Sequence, residues 1–356
     1  MDWYRWLVKP HSLTKWKLLE EYLEAWGRIV SHYCDTAYYV DAFAGPGYWR
    51  VTGQDTLIPG SPVIAAGVAE RLTREREGFR LQVIAVEKGK ARFGALQQAC
   101  QGYEVRLVLS DFGQSRDELI EEVREAGVPS FWLVDPCGLQ AELRWVQDIL
   151  SLRSAEVLFN YMQTGVPRAL GAAKAGDSAS AWRLMRMFGA PEFQGLLTAT
   201  SRELLGQFMD EIREHGAYVR PFAVPYPHAD RTDPMYYLIF ATKNDAGFSI
   251  MKDVMGKLAR AGTLFADVPL HPWGQAPRVL QEQYAGRTVT WRDIHQETDY
   301  HHRHLAAALN ELMDGGLVEA DPLPRDRNRI RRDHAFAFAQ PAQPAQRSLP
   351  FQEKGQ

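Results

Sequence analysis

Residues 38–50, YYVDAFAGPGYWR, decide the fold. An apolar run stops at Asp41, and the chain turns through Ala42, Phe43, Ala44, Gly45, Pro46 and Gly47. A strand that ends in a glycine-rich turn lets the backbone approach a ligand, since glycine carries no Cβ and adopts positive φ at little cost. Two phosphate-binding readings fail here. A dinucleotide fingerprint needs Gly-x-Gly-x-x-Gly, and Arg50 stands where its third glycine belongs. A P-loop needs Gly-Lys-Ser or Gly-Lys-Thr after the turn, and that motif is absent.

Outward from the turn, short apolar runs alternate with helical patterns. TAYYVDAF (36–43), FRLQVIAVEK (79–88), YEVRLVLSDF (103–112), SFWLVDPCG (130–138) and AEVLFNYM (155–162) read as strands. Residues 61–75, 89–100, 115–127 and 143–152 read as the helices between them, the first with Ser61 as its cap and Pro62 in its first turn. Such alternation predicts an α/β fold: a Rossmann-like parallel sheet covered by helices on both faces. Residues 48–60, after the glycine turn, read as irregular. A helix from Ser12 to about Ser31 precedes the sheet, with Trp16, Tyr22 and Trp26 on its core side. A helical region (168–217), an antiparallel edge pair (217–227 and 235–244) and a helix (247–259) follow it.

Ligands of such sheets lie beyond the C-terminal strand ends. The residues there are Asp41, Glu87, Asp111, Asp135 and Asn160. One acid in a turn is ordinary; a polar residue at every strand end in register describes a pocket. S-adenosylmethionine (SAM) carries no phosphate and fits that set. It needs a close backbone approach and a carboxylate near its cationic methionine end, which Asp41, Phe43, Gly45 and Gly47 supply. Glu87 can accept both ribose hydroxyls, and Asp111 can meet the adenine amino group with Phe112 as a stacking face.

Asp135-Pro136-Cys137-Gly138 lies where the donor methyl would be. Enzymes that methylate amines carry an acid or amide, two prolines and an aromatic there, to accept the target amine and stack the flipped base. Asp135 and Pro136 match; Cys137 and Gly138 replace the second proline and the ring. Pro136-Cys137 also matches the pair of cytosine-C5 methyltransferases, but the surrounding turns differ, so Cys137 reads as a small buried hydrophobe and Asp135 carries the chemistry. Asn160 and Arg168 divide evenly between holding the acceptor and plain turn and helix-end roles.

The C-terminal part reads as a winged helix-turn-helix. Residues 291–298 and 302–316 are its helices, and 317–322 and 334–339 its wing strands. Between the strands lie Arg325, Arg327, Arg329, Arg331 and Arg332, clustered cations of the kind that phosphate contacts require. His301, His302 and His304 open a helix at a spacing that does not converge on a metal. The divisions expected are 1–261 for the core with its N-terminal helix, 262–285 as linker, 286–340 for the winged helix, and a disordered tail over 341–356.

The chain of 356 residues is 46% hydrophobic with a formal net charge of −3, so a nucleic-acid surface must be a local patch. Three scattered cysteines (Cys34, Cys100, Cys137) exclude a disulfide framework and fit a reducing, cytoplasmic setting. No signal-peptide core or membrane-length apolar run is present.

DAFAGPG (41–47), GSPV (60–63), AVEK (85–88), SDF (110–112), LVDPCG (133–138), VLFNYMQTGVPR (157–168) and YYLIFATKN (236–244) with MKDVM (251–255) together resemble the three-Cys-motif partner protein family. The likeness spans most of residues 10 to 260. It implies a class I methyltransferase-like core with a C-terminal winged helix. It also implies a radical-SAM-like partner with a three-cysteine motif, and an aromatic at the position of Cys137. The combined expectation is a SAM-dependent methyltransferase acting on a nucleic-acid base, DNA ahead of RNA. The alternative is a non-catalytic DNA-targeting adaptor for that partner.

Overall fold

The computed structural model describes residues 5–9, 12–215, 218–224, 234–260, 275–298, 300, 302–322 and 334–340. The chain divides into two units, Met1–Pro269 and Leu270–Gln356.

The first unit opens with β1 (Leu7–Val8) and α1 (Ser12–Val30). β2 (Thr36–Asp41) then leads into the glycine turn. The stretch expected to be irregular holds a hairpin, β3 (Tyr48–Val51) and β4 (Leu57–Pro59), with β1 paired to β3 as a small separate sheet. Its four- and three-residue strands lack the length at which period-2 patterning can be seen.

Alternation follows as α2 (Ser61–Glu75), β5 (Arg80–Val86), α3 (Lys90–Ala99), β6 (Val105–Val108), α4 (Phe112–Ala126), β7 (Ser130–Val134), α5 (Leu143–Ser151) and β8 (Ala155–Tyr161). Three helices, α6 (Gly165–Lys174), α7 (Ser178–Phe188) and α8 (Ser201–Arg213), precede the hairpin β9 (Tyr218–Val224) and β10 (Tyr236–Thr242) and then α9 (Asp245–Arg260). The α2 cap differs from expectation: Gly60 occupies the N-cap, and the Ser61 hydroxyl is used elsewhere, by Asp41.

The main sheet has the order β6-β5-β2-β7-β8-β10-β9. Five strands are parallel, and β10 runs antiparallel to both β8 and β9. Side chains alternate across each strand, so β2 buries Tyr39 on one face and Val40 on the other. Helices α1, α2 and α9 cover the Tyr39 face; α4, α5, α7 and α8 cover the Val40 face.

Under α1 lies a buried carboxyl. Glu156 of β8 accepts hydrogen bonds from the Tyr22 hydroxyl and, at 3.1 Å, from Thr242 Oγ1. A Cβ on Gly247 of α9 would lie 2.2 Å from its Oε1, so only glycine leaves the carboxyl room. Burial raises its pKa from 4.5 to about 7, against the lowering effect of the Tyr22 and Thr242 hydrogen bonds. The folded protein therefore holds this proton more tightly than the unfolded chain. Its contribution is complete below pH 4.5, is lost between pH 4.5 and about 7, and is flat above. Glu156→Gln is expected to remove roughly 3 kcal/mol of pH dependence from urea-unfolding stability across that window; an unchanged slope would show that Glu156 ionises normally.

The second unit contains α10 (Ala276–Tyr284), β11 (Thr288–Thr290), α11 (Trp291–Glu297), α12 (His302–Asp314), β12 (Val318–Asp321) and β13 (Ala335–Phe338). Its strands form an antiparallel sheet of order β11-β13-β12. The expected linker over 262–285 is corrected at its C-terminal end. Ala276, Leu280 and Tyr284 of α10 recur at helical spacing and lie in this unit's core with Trp291, Leu309 and Phe336. Arg325, Arg327, Arg329, Arg331 and Arg332, together with His301 and the tail, lie outside the described residues. No helix among the described residues is long and apolar enough to cross a membrane.

Candidate functional site

Strand order reverses between β2 and β7, with β5 and β6 on one side and β8 on the other. A doubly wound sheet opens a crevice at that switch point, beyond the C-terminal strand ends. A cavity of about 390 Å³ lies there. Phe43 and Gly45 line it after β2, Glu87 and Lys88 after β5, Asp135 to Gly138 after β7, and Asn160 from β8. Lys15 and Trp16 of α1 form part of the wall, with Trp49 of β3 beside them. An adjoining cavity of about 480 Å³ shares Phe43, Lys88 and Gln140 and adds Asp111, Trp145 and Arg183. The Lys88 ammonium bridges their boundary, donating to Asp111 Oδ2 and Gln140 Oε1 at 3.1 Å each.

The glycine turn works by two different means. Gly45 has φ +70°, faces the cavity, and donates its N–H to Glu87 Oε2 at 3.1 Å. Gly47 has φ +85°, and its missing Cβ points at Ala99 of α3, 2.3 Å from where it would sit. Gly47 does not line the cavity; it packs the turn on α3.

Asp41 likewise lies off the cavity wall. It shares the Tyr39 face of β2, because residues two apart on a strand point together. It is fully buried and absent from the cavity wall. Its Oδ1 accepts from Phe43 N at 3.1 Å and its Oδ2 from the Tyr39 hydroxyl at 3.3 Å, and Ser61 also bonds to it. Burial raises its pKa to about 6, partly offset by the Ser61 and Phe43 hydrogen bonds. Asp41 fixes the turn from behind.

Glu87 is 6% exposed and holds three donors: Gly45 N, Gly89 N at 2.6 Å, and Arg92 Nη2 at 2.9 Å. A carboxylate offers about four acceptor positions, so one remains toward the cavity. Asp111 caps α4, accepting from Gly113 N at 3.0 Å, and lines the adjoining cavity rather than the main one. Phe112 touches the main cavity but is buried, packed edge-on to Trp145 at 5.4 Å.

Asp135 is held by two donors. The Lys15 ammonium forms an ion pair with its Oδ2, and Asn160 Nδ2 donates to its Oδ1 at 2.6 Å. Pro136 lines the cavity beside it. Cys137 is exposed rather than buried, since the following Gly138 turns at φ +70° on the protein surface. Arg168 stays at the α6 start, donating to Thr164 O at 3.0 Å, and does not line the cavity. Trp16 is buried as expected, yet its ring also walls the cavity 6.2 Å from Trp49. Among the described residues no His, Cys, Asp and Glu group could hold a metal.

Sequence reasoning missed Lys15 and Arg92. Lys15 carried a signal: it precedes Leu18, Leu19, Tyr22 and Trp26 at helical spacing, so a cation stands on the buried stripe of α1. A lysine there requires a buried partner. Arg92 stands one turn into α3 on a surface that composition does not distinguish.

No protein-family model matches the chain, and no curated protein matches it in sequence. Among solved structures it is similar to a DUF519-family protein of Legionella pneumophila, at 10% identity over 70% of this chain and 92% of that one, with a TM-score of 0.44. It is also similar to the plantazolicin methyltransferase BpumL in complex with SAH, at 8% identity over 65% and 84% of the two chains, with a TM-score of 0.34. The fibrillarin pre-rRNA processing protein of Methanococcus jannaschii gives 12% identity over 58% of this chain and 65% of that one, with a TM-score of 0.31. At these scores none of the three assigns an activity to this chain.

Proposed function

We propose that the switch-point cavity binds S-adenosylmethionine and that the protein methylates a nucleic-acid base. One observation carries the reading: a positive-φ glycine turn is tied by the Gly45 N–H to a buried acid, Glu87, across a crevice from Asp135 and Asn160. A sulfonium cofactor without phosphate needs that combination, and the absence of a third glycine and of a P-loop lysine argues against phosphate-bearing ligands. Phe43 and the Gly45 backbone would hold the methionine end, the open acceptor position of Glu87 a ribose hydroxyl, and Asp111 with the adjoining cavity the adenine. The bound cofactor supplies an electrophilic methyl group; Asp135 and Pro136 face the acceptor.

The sheet order supports a methyltransferase-like core. A dinucleotide-binding sheet runs 3-2-1-4-5-6. Here an antiparallel strand, β10, stands between the fifth parallel strand and β9. The second unit supports the winged-helix reading through its order of helix, strand, two helices and two strands. In that fold α12 would enter a major groove, which favours DNA over RNA, and the arginines at 325–332 would meet phosphates. The resemblance to the three-Cys-motif partner family is what suggests a radical-SAM-like partner. One observation favours the adaptor alternative: Asp135 is already engaged by Lys15, and Gly138 offers no ring for a base.

Calorimetry on the full chain tests the cofactor. SAM and S-adenosylhomocysteine are expected to bind in the micromolar range and NAD not at all; NAD binding in place of SAM would overturn the reading. Methyl transfer from labelled SAM to DNA or RNA by the isolated chain would exclude a purely adaptor role.

A further inference from the structure

Helix α7 turns its largest side chain away from the protein. Ser180, Leu184, Met187 and Phe188 form its buried stripe, and Trp182 stands opposite them, 64% exposed. A single exposed aromatic is ordinary on a protein surface. This one has Arg183 beside it and Arg186 one turn on, both exposed, and both arginines line the cavity that adjoins the switch-point crevice. The helix therefore carries an indole and two guanidinium groups at the edge of the site.

The surrounding charge defines what they meet. From Tyr161 to Pro191 the sequence holds four cations, Arg168, Lys174, Arg183 and Arg186, and a single acid, Asp177, on a chain whose formal net charge is −3. Asp177 is engaged in capping α7, accepting from Ala179 N at 3.1 Å and from Ser180 Oγ at 2.5 Å. Arg186 pairs with Glu142, but its side chain is 55% exposed, so water screens the pair, and the guanidinium keeps further N–H donors for an anion. Within the adjoining cavity Lys88 and Asp111 offset one another at 3.1 Å, which leaves the two arginines as its other charged groups. The cofactor proposed above gives them nothing to bind. Its one carboxylate belongs at the methionine end, by Phe43 and Gly45, and its adenine is neutral. The anion must come from the second substrate.

Nucleic acid supplies both chemistries at once. Phosphates take the planar guanidinium fork, often through two parallel N–H bonds, and a base face stacks on an indole. Stacking on a helix surface needs a base whose face is bare, which a paired and stacked duplex does not offer. We infer that Trp182, Arg183 and Arg186 of α7 form a docking face for a single-stranded segment flanking the target base, with Trp182 stacking one base and the arginines holding its phosphates. This rests on the nucleic-acid reading above and deepens it, by assigning the form of strand that reaches the site and the surface it crosses.

Fluorescence anisotropy on the full chain would compare a labelled mixed-sequence single strand of DNA with its duplex. Trp182→Ala is expected to weaken single-strand binding by about 10-fold, leave its salt dependence unchanged, and alter duplex binding by less than about twofold. Trp182→Phe, which keeps a ring, should restore most of the loss. Arg183→Gln should weaken binding and lower the slope of log K against log salt by about 0.7, the value of one phosphate contact on a single strand. Trp182 is exposed, so the melting temperature of Trp182→Ala should match the wild type, which sets misfolding aside. Equal effects on single strand and duplex, or single-strand binding unchanged in Trp182→Ala, would overturn the inference. A dimer in sedimentation that Trp182→Ala dissolves, with strand binding unchanged, would instead assign the face to a second copy of the chain. Binding that ignores Trp182 removes this inference alone; no binding of either form by the wild-type chain removes the nucleic-acid reading with it.

Discussion

Glu87→Gln is expected to weaken SAM binding by about 100-fold while lowering the melting temperature by only a few degrees. The carboxylate now serves Gly45 N, Gly89 N and Arg92 and keeps one acceptor position toward the cavity. A glutamine of the same size has a single acceptor oxygen, so it cannot serve both backbone N–H groups and a ribose hydroxyl. Its amide nitrogen would also oppose the Arg92 guanidinium. Charge-assisted hydrogen bonds contribute about 1.5–3 kcal/mol each, and the loss of one, with displacement of the turn, gives the effect stated. Calorimetry against SAM checks it, and thermal unfolding of the same sample supplies the control. Unchanged affinity would show that Glu87 only braces the Gly45 turn and that the ribose lies elsewhere.

Gly47→Ala is expected to cost about 3–4 kcal/mol, from a strained backbone and an overpacked contact acting together. The position has φ +85°, and the new methyl would lie 2.3 Å from the Ala99 Cβ. That neighbour is anchored to the backbone of α3 and cannot swing aside as a long side chain would. Gly53 provides the comparison, with φ +82° and nothing within 4 Å of its Cβ position. Gly53→Ala should therefore show the strain alone, about 1–2 kcal/mol. Urea unfolding of both variants isolates the packing contribution; equal losses would mean that α3 yields without cost.

Much of the core was legible because its signals are local. The inner strands β7 and β8 are buried on both faces and read as nearly continuous apolar runs, and β2 and β5 become so toward their C-terminal ends. Each run ends in a polar residue, which marks the strand end and so the side of the sheet where ligands bind. The second unit's α11, α12, β12 and β13 were visible for the same reason, through periodicity that switches between about 3.6 and 2. Helix α10 was missed because Pro277, Arg278 and a glycine-rich neighbourhood dilute a nine-residue pattern. The β3–β4 hairpin was missed because its strands are too short to show a period.

What each strand-end residue does was not legible, because direction depends on neighbours distant in sequence. Asp41 and Glu87 look alike as acids that end strands. Asp41 falls on the face that α2 covers and disappears beneath Ser61, whereas Glu87 receives Gly45 and borders the crevice. Gly45 and Gly47 lie two residues apart with similar φ, yet one meets the cavity and the other meets α3. The sequence by itself determined the alternation and the strand ends, since these follow from periodicity and local backbone chemistry. Only the tertiary structure decided that Lys15, 120 positions away in the chain, neutralises Asp135, and that Asn160 Oδ1 is buried beside it without a hydrogen-bond partner. Those facts depend on how α1 packs across the sheet, and no local pattern carries that geometry.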